Sequence, residues 1–313
     1  MSHHATRKAQ VRSSPNASAL PEFYGDFILV NGKTWPILEV EPRQYRFRLV
    51  NGSDSRFYNM SLTNGNMIAV IGSDDGLLPN RVITNTVLLA PGERKDIIID
   101  FSKDKGRTFY ISNNAKSPYP AGASVDPKTT GKIMAFKVSK PLNTAVPMTV
   151  LPTTSLRPAI VPLQATTPLL PRKLILFERT DQYGRLKPSL GTVADGAMDY
   201  MEAPTEMPIQ GTTEIWEVYN ETMDAHPIHL HSVAMQIIDR QKFSATIDPI
   251  NGKATNIKLV GKPILPLADE KGWKDTYVMY PGEVTRIIAT FNLPGMYVWH
   301  CHILSHEDNE MMR

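Results

Sequence analysis

Short runs of β-forming residues, each closed by a Pro or Gly turn, recur along this 313-residue chain and constrain its fold more than any other feature. FILV, YRFRLV, DIIIDF, KLILF, EIWEVYN, RIIATF and MYVWH are such runs. Asn31-Gly32, Pro91-Gly92, Asn251-Gly252 and Pro281-Gly282 mark turns between them. No long segment carries a 3.6-residue apolar period, so amphipathic helices are not expected to build the core. Twenty-five prolines and nineteen glycines fit the same picture, because both residues break helices. The expected class is all-β, of sandwich or Greek-key barrel type.

The length suggests about two domains. Residues 140–171 (KPLNTAVPMTVLPTTSLRPAIVPLQATTPLLP) are rich in Pro and Thr and poor in charge, and read as an extended linker. The sequence repeats on either side of it. LLAPGERKDIIIDF at 88–101 matches VMYPGEVTRIIATF at 278–291, and YRFRLVNGSDSRFYNMSL at 45–62 matches EIWEVYNETMDAHPIHLH at 214–231. This divides the chain into a disordered segment 1–20, a first domain 21–139, the linker 140–171 and a second domain 172–313. Where the second copy has His226, His229 and His231, the first has Phe57, Met60 and Leu62. Where the second has His300-Cys301-His302, the first has Ser112-Asn113-Asn114, so the first is expected to be metal-free.

With 42% hydrophobic and 21% charged residues, the composition is that of an ordinary globular protein. A net charge of +3 with scattered basic residues gives no footprint for nucleic acid or a membrane surface. No apolar run approaches the ~18 residues that span a bilayer. The start, MSHHATRKAQVRSSPNAS, lacks the apolar core of a secretory signal. One cysteine excludes an internal disulfide and leaves the redox compartment open.

Six of the eight histidines fall in two clusters, and the second contains that cysteine: His226-Pro-Ile-His229-Leu-His231, and His300-Cys301-His302 followed by His306 and Met311. Side chains alternate along a strand, so His229 and His231 share one face, and His300 and His302 face away from Cys301. Pro227 is expected to end or bend its strand and free His226 to face elsewhere. A thiolate, two imidazoles and a weak axial thioether form the trigonal blue-copper site, and Cys301, His226, His306 and Met311 supply that set. The remaining four, His229, His231, His300 and His302, suit a second metal centre. Zinc is the competing metal, and the thioether spacing favours copper.

At these residues the sequence resembles the multicopper oxidases, in particular bacterial spore-coat laccases and bilirubin oxidases. FYGDFILVNGKTWPILEVEPRQYRFRLVNGS, IGSDDGLLPN, LAPGERKDIIIDF, GTTEIWEVYN, HPIHLH, EKGWKDT and YVWHCHILSHEDNEMMR carry the likeness from about residue 21 onward. It implies cupredoxin-like Greek-key domains. It also implies one-electron oxidation of phenolic or other aromatic donors coupled to reduction of dioxygen to water. By position, His226, Cys301, His306 and axial Met311 would hold the type 1 copper. His229 would hold the type 2 copper, and His231, His300 and His302 the type 3 pair. Glu307 resembles the family's proton-relay carboxylate.

The departure from the family pattern is specific. Three-domain members use eight histidines at the trinuclear cluster, four of them from a first domain. This chain has four, plus His3 and His4, whose context matches no family motif. The match begins inside the middle domain, without its opening strand, so the chain is expected to be a truncated form. Three readings follow: a laccase-type oxidase completed by a companion chain or homo-oligomer, a copper-binding electron-transfer module without turnover, or an inactive relic. The relatives reside in spore coats, periplasm or outside the cell.

Overall fold

The computed structural model describes residues 20–313. The expected disorder over 1–20, with His3 and His4, lies outside those residues, Leu20 apart.

In the first half, a five-stranded sheet runs in the order Ile37–Glu39, Lys132–Lys137, Thr108–Asn113, Tyr58–Leu62, Val87–Leu89. A four-stranded sheet runs Gln44–Val50, Arg94–Asp100, Ile68–Ser73, Gly76–Thr84. Alternation explains how they pack. On Arg94–Asp100 the buried positions are Lys95, Ile97 and Ile99, and on Thr108–Asn113 they are Phe109, Ile111 and Asn113. Their apolar members join one core with Phe101 and Phe136, whose rings meet edge-on at 5.0 Å.

The second half has a seven-stranded sheet in the order Gly196–Met198, Leu186–Thr192, Arg172–Thr180, Thr212–Asn220, Glu283–Phe291, Met235–Ile247, Ala254–Ile264. A three-stranded sheet places His226–Leu230 between Thr276–Met279 and Trp299–Cys301. Leu174, Leu176, Trp216, Val218 and Ile287 of the large sheet pack against Ile228, Leu230, Tyr277, Met279 and Trp299 of the small one. Each such side chain stabilises the fold by roughly 1.5–3 kcal/mol on burial.

One anchoring device occurs twice. Asn51 Nδ2 donates to the carbonyls of Arg56 (2.8 Å) and Leu89 (3.1 Å), and its Oδ1 accepts from Ser53 N. Asn220 Nδ2 donates to those of Asp224 (2.8 Å) and Met279 (3.1 Å), and its Oδ1 accepts from Thr222 N. Gly92 N donates to Asn51 O and Gly282 N to Asn220 O, each at 2.9 Å. The two repeated segments align Asn51 with Asn220, Ser53 with Thr222, Leu89 with Met279 and Gly92 with Gly282, while the remaining acceptor differs by one residue.

The halves meet across a polar and apolar seam. Phe57, Ala90 and Ala115 belong to the core cluster of the second half. Beside them Lys274 Nζ, fully buried, lies 2.8 Å from Asp74 Oδ2 and 3.0 Å from Glu93 Oε1. Of the described residues, 138–171 form no helix or strand. Leu151 N donates to Gln44 Oε1 and Leu156 N to Pro79 O in the first half. Leu163 N donates to Gln236 Oε1 and Thr166 N to Thr213 O in the second. This extended segment is therefore tied to both halves.

Candidate metal centre

The small sheet of the second half carries three of the six clustered histidines and the cysteine. His226 and His229 lie on its middle strand, and His300 and Cys301 on the neighbour. Register pairs Ile228 with Cys301 and His229 with His300. Pro227 does not end the strand. It pairs with Val278, and its carbonyl accepts from His302 N at 2.7 Å. A proline is tolerated where its missing N–H would not be needed, and alternation alone sends His226 to the face opposite His229.

On the inner face, His226 Nδ1 and His306 Nδ1 lie 3.6 and 3.7 Å from Cys301 Sγ, and 3.3 Å from each other. All three residues have no exposed surface. His306 comes from the short helix Leu304–Glu307. Asp54 of the first half fixes that helix: its carbonyl accepts from Leu304 N (3.1 Å) and its Oδ1 from Ser305 Oγ (2.7 Å). Met311 is fully buried, and its carbonyl accepts from Cys301 N at 3.0 Å.

The far nitrogens are also held. His226 Nε2 is 2.6 Å from Thr222 Oγ1. His306 Nε2 sits 3.4 Å from Glu22 Oε1 without hydrogen-bond alignment. Burial and the neighbouring His306 drive the pKa of His226 down. Burial opposes the charge of His306 too, but Cys301 and Glu22 outweigh it and raise His306 to about 10. Glu178, 3.9 Å from His226 Nε2, is raised to about 7, first by burial. Two nitrogens and a sulfur aimed at one buried point, with the outer nitrogens directed elsewhere, fit the donor set of a copper ion.

The opposite face holds the second group. Ligand atoms of His229, His231 and His300 lie within 4.8 Å of one another. His302 flanks them, its ring 5.5 Å from that of His300 and 5.9 Å from that of His229. His231 Nε2 and His300 Nε2 face each other at 3.0 Å. His300 Nδ1 points to Cys301 O at 3.0 Å and to Glu307 Oε2 at 3.2 Å. Burial lowers His300 to about 4, and burial with the adjacent histidines also lowers His231. Both rings are thereby kept neutral, the form that binds metal. Burial raises the half-buried Glu307 above the ordinary carboxyl value.

Residues 2–139 and 171–313 each match a family model described as multicopper oxidase. The chain belongs to the multicopper oxidase family. Its fold is two cupredoxin-like domains of that family. It is 44% identical to a laccase of Bacillus subtilis over 309 residues, covering 96% of this chain and 56% of that protein. It is 35% identical to multicopper oxidase LPR1 of Arabidopsis thaliana, covering 94% of this chain and 53% of that one. The McoA multicopper oxidase of Aquifex aeolicus superposes with a TM-score of 0.69 at 27% identity, covering 93% of this chain and 59% of that chain. The chain thus spans a little over half the length of these relatives.

Several residues around the site escaped the sequence reading. Thr222, Glu22 and Glu178 approach the outer nitrogens of the inner group. Asp275 lies against His229, whose Nδ1 is 3.0 Å from Asp275 O and 3.1 Å from Thr276 Oγ1. Asp275 and Thr276 do lie in EKGWKDT, a segment that carried the family likeness.

Proposed function

We propose that this multicopper oxidase chain binds copper through His226, Cys301 and His306, with Met311 axial, and accepts single electrons there from a phenolic or other small aromatic donor. The supporting observation is the convergence of two Nδ1 atoms and one Sγ within 3.3–3.7 Å at a fully buried point. Copper bound to such a set supplies a one-electron redox couple. The protein's part is to exclude water, fix the His226 ring through Thr222 and hold the thiol between the two rings.

His229 is assigned to a type 2 copper, and His231, His300 and His302 to a type 3 pair. Glu307 is the group that would carry protons, because its carboxylate reaches His300 Nδ1. These four histidines are half of the eight that the three-domain family uses. Reduction of dioxygen to water is therefore proposed only with a companion chain or a further copy supplying the rest. For the isolated chain the favoured role is a copper-binding electron-transfer module. The working division is 21–139 as copper-free domain, 140–171 as linker and 172–313 as copper domain.

Copper loading followed by metal analysis, visible spectroscopy and an oxygen electrode tests this. One tightly held copper with an intense thiolate absorption, weaker copper uptake at the second histidine group, about one donor equivalent oxidised per chain and constant oxygen are expected. Four coppers with sustained oxygen uptake would instead establish a self-sufficient oxidase. Absence of the absorption would overturn the assignment.

A further inference from the structure

The first domain carries no metal-ligating cluster of its own among the described residues, yet one of its turns reaches the second histidine group at two points. That turn is Pro91-Gly92-Glu93, followed by Arg94 at the start of Arg94–Asp100. Gly92 adopts φ +80°, and a Cβ placed on it would stand 2.4 Å from Cδ2 and 2.5 Å from Cγ of His302. The His302 ring thus rests on the bare backbone of the other domain. Only glycine leaves that space at a backbone angle L-residues avoid.

The second point is Arg94. Its Nη1 and Nη2 donate to Asp275 Oδ1 (2.6 Å) and Oδ2 (2.5 Å), a forked pair across the seam. Arg94 is itself fixed, since its N donates to Asp74 Oδ1 and its Nη2 to Asp74 O. Burial opposes ionisation of Asp275, but hydrogen bonds from His229, Arg94 and Thr276 hold its carboxyl well below the usual range. Thr276 Oγ1 donates its hydrogen to Asp275 Oδ1 at 2.8 Å. The hydroxyl oxygen is then left to accept from His229 Nδ1 at 3.1 Å, beside Asp275 O at 3.0 Å. With the proton held on Nδ1, the lone pair of His229 is on Nε2.

We infer that the Pro91–Arg94 turn of the copper-free domain is a positioning element for the second metal group. Arg94, by anchoring Asp275, fixes the place of the oxygens that hold His229 Nδ1, and Gly92 seats the ring of His302. Arg94 and Gly92 touch no metal; they set the rings that would. The inference rests on the assignment of these histidines as copper ligands, but it is read without copper. Outer partners of this kind typically change metal affinity 10–100-fold when removed.

The test uses the full chain, 15N-labelled and metal-free, with ring tautomers read by long-range proton–nitrogen NMR. In the parent protein His229 shows a protonated Nδ1. In Arg94→Met and Asp275→Asn the 275–276 segment loses its forked anchor, so the His229 ring signals shift and broaden, while the proton stays on Nδ1 because the backbone carbonyl of residue 275 still accepts from it. His226 and His306 keep their signals, which also shows that the fold survives. Gly92→Ala displaces the His302 ring signals. Gly282→Ala, at φ +70° with open space around its Cβ, carries the same backbone strain and leaves them in place.

Copper titration then reads the second group, with affinity expected to fall at least tenfold in Arg94→Met and Gly92→Ala, while the thiolate absorption of the first site persists. Unchanged His229 ring signals in Arg94→Met overturn the inference, as does an equal effect of the two glycine substitutions on His302. If the NMR changes occur but the parent protein takes up no second-site copper, the positioning stands and the ligand assignment fails.

Discussion

Replacing Lys274 by methionine isolates the energy that holds the two domains together. Its ammonium is fully buried and shared by Asp74 and Glu93, whose side chains are 0% and 4% exposed. Methionine fills much of the same volume but leaves buried Glu93 without a counter-ion and Asp74 with only Arg94, 3.9 Å away. Removing one partner of a buried ion pair costs about 3–5 kcal/mol, a large fraction of the ~5–15 kcal/mol that keeps a typical protein folded.

The pH dependence gives a second handle. Burial disfavours the charge on Lys274, yet Glu93 and Asp74 raise its pKa well above the ordinary 10.5. A raised lysine pKa contributes stability that is complete below the unfolded value and lost only as pH rises through the folded one. The parent protein should therefore show no loss from this group between roughly pH 6 and 9. In Lys274→Met, protonation of an orphaned carboxyl removes its buried charge, so the variant should regain stability as pH falls from roughly 8 to 5.

Urea unfolding of metal-free protein, followed by circular dichroism at both pH values, measures each effect. The neutral triple variant Asp74→Asn, Glu93→Gln, Lys274→Met should recover most of the loss, since a buried ion cluster replaced as a whole is often near neutral. A Lys274→Met variant within about 1 kcal/mol of the parent at pH 8, with no pH response, would refute the reasoning.

Two further outcomes follow. Cys301→Ser should abolish the thiolate absorption while His229, His231 and His300 retain their metal-free ring signals; survival of the absorption would remove Cys301 from the site. Asn51→Ala and Asn220→Ala should each cost about 1–3 kcal/mol, because each leaves buried carbonyls unpaired. Only Asn220→Ala should weaken copper binding at the inner site, since Asn220 also accepts from Thr222, which contacts His226; equal copper affinities in the two variants would contradict this.

The clustering around Cys301 was legible because its residues are rare types at short spacing. His300, Cys301, His302, His306 and Met311 fall within twelve residues of chain, and strand alternation sorts the first three between two faces. The repeated Pro-Gly-Glu turn was legible for a similar reason: it is a local backbone requirement printed twice. The supports of the second group were not. Arg94 and Asp275 are 181 residues apart, and nothing local in either segment encodes their meeting. The meeting depends on how the domains dock, to which Lys274 and its two acids contribute.

The hairpin Met235–Ile247 and Ala254–Ile264 was hidden for a different reason. Most of its second strand is exposed, and its register slips between Arg240 and Lys242 and between Ser244 and Thr246, which blurs any period of two. Pro227 misled because a proline in a strand usually marks its end, whereas here it is carried through the pairing.

The small sheet also acts as a ruler. His229 and His300 face each other across it, and Cys301 follows His300 directly, so both ligand groups hang from one hydrogen-bonded ladder. Their separation is counted in peptide units of about 3.3 Å rather than set by flexible loops. With copper in both groups as proposed, loop substitutions around the buried thiol would alter which donors approach, or how readily an electron is taken, without lengthening the path beyond it. On that proposal, recognition of the donor and the span of electron travel would be independently adjustable.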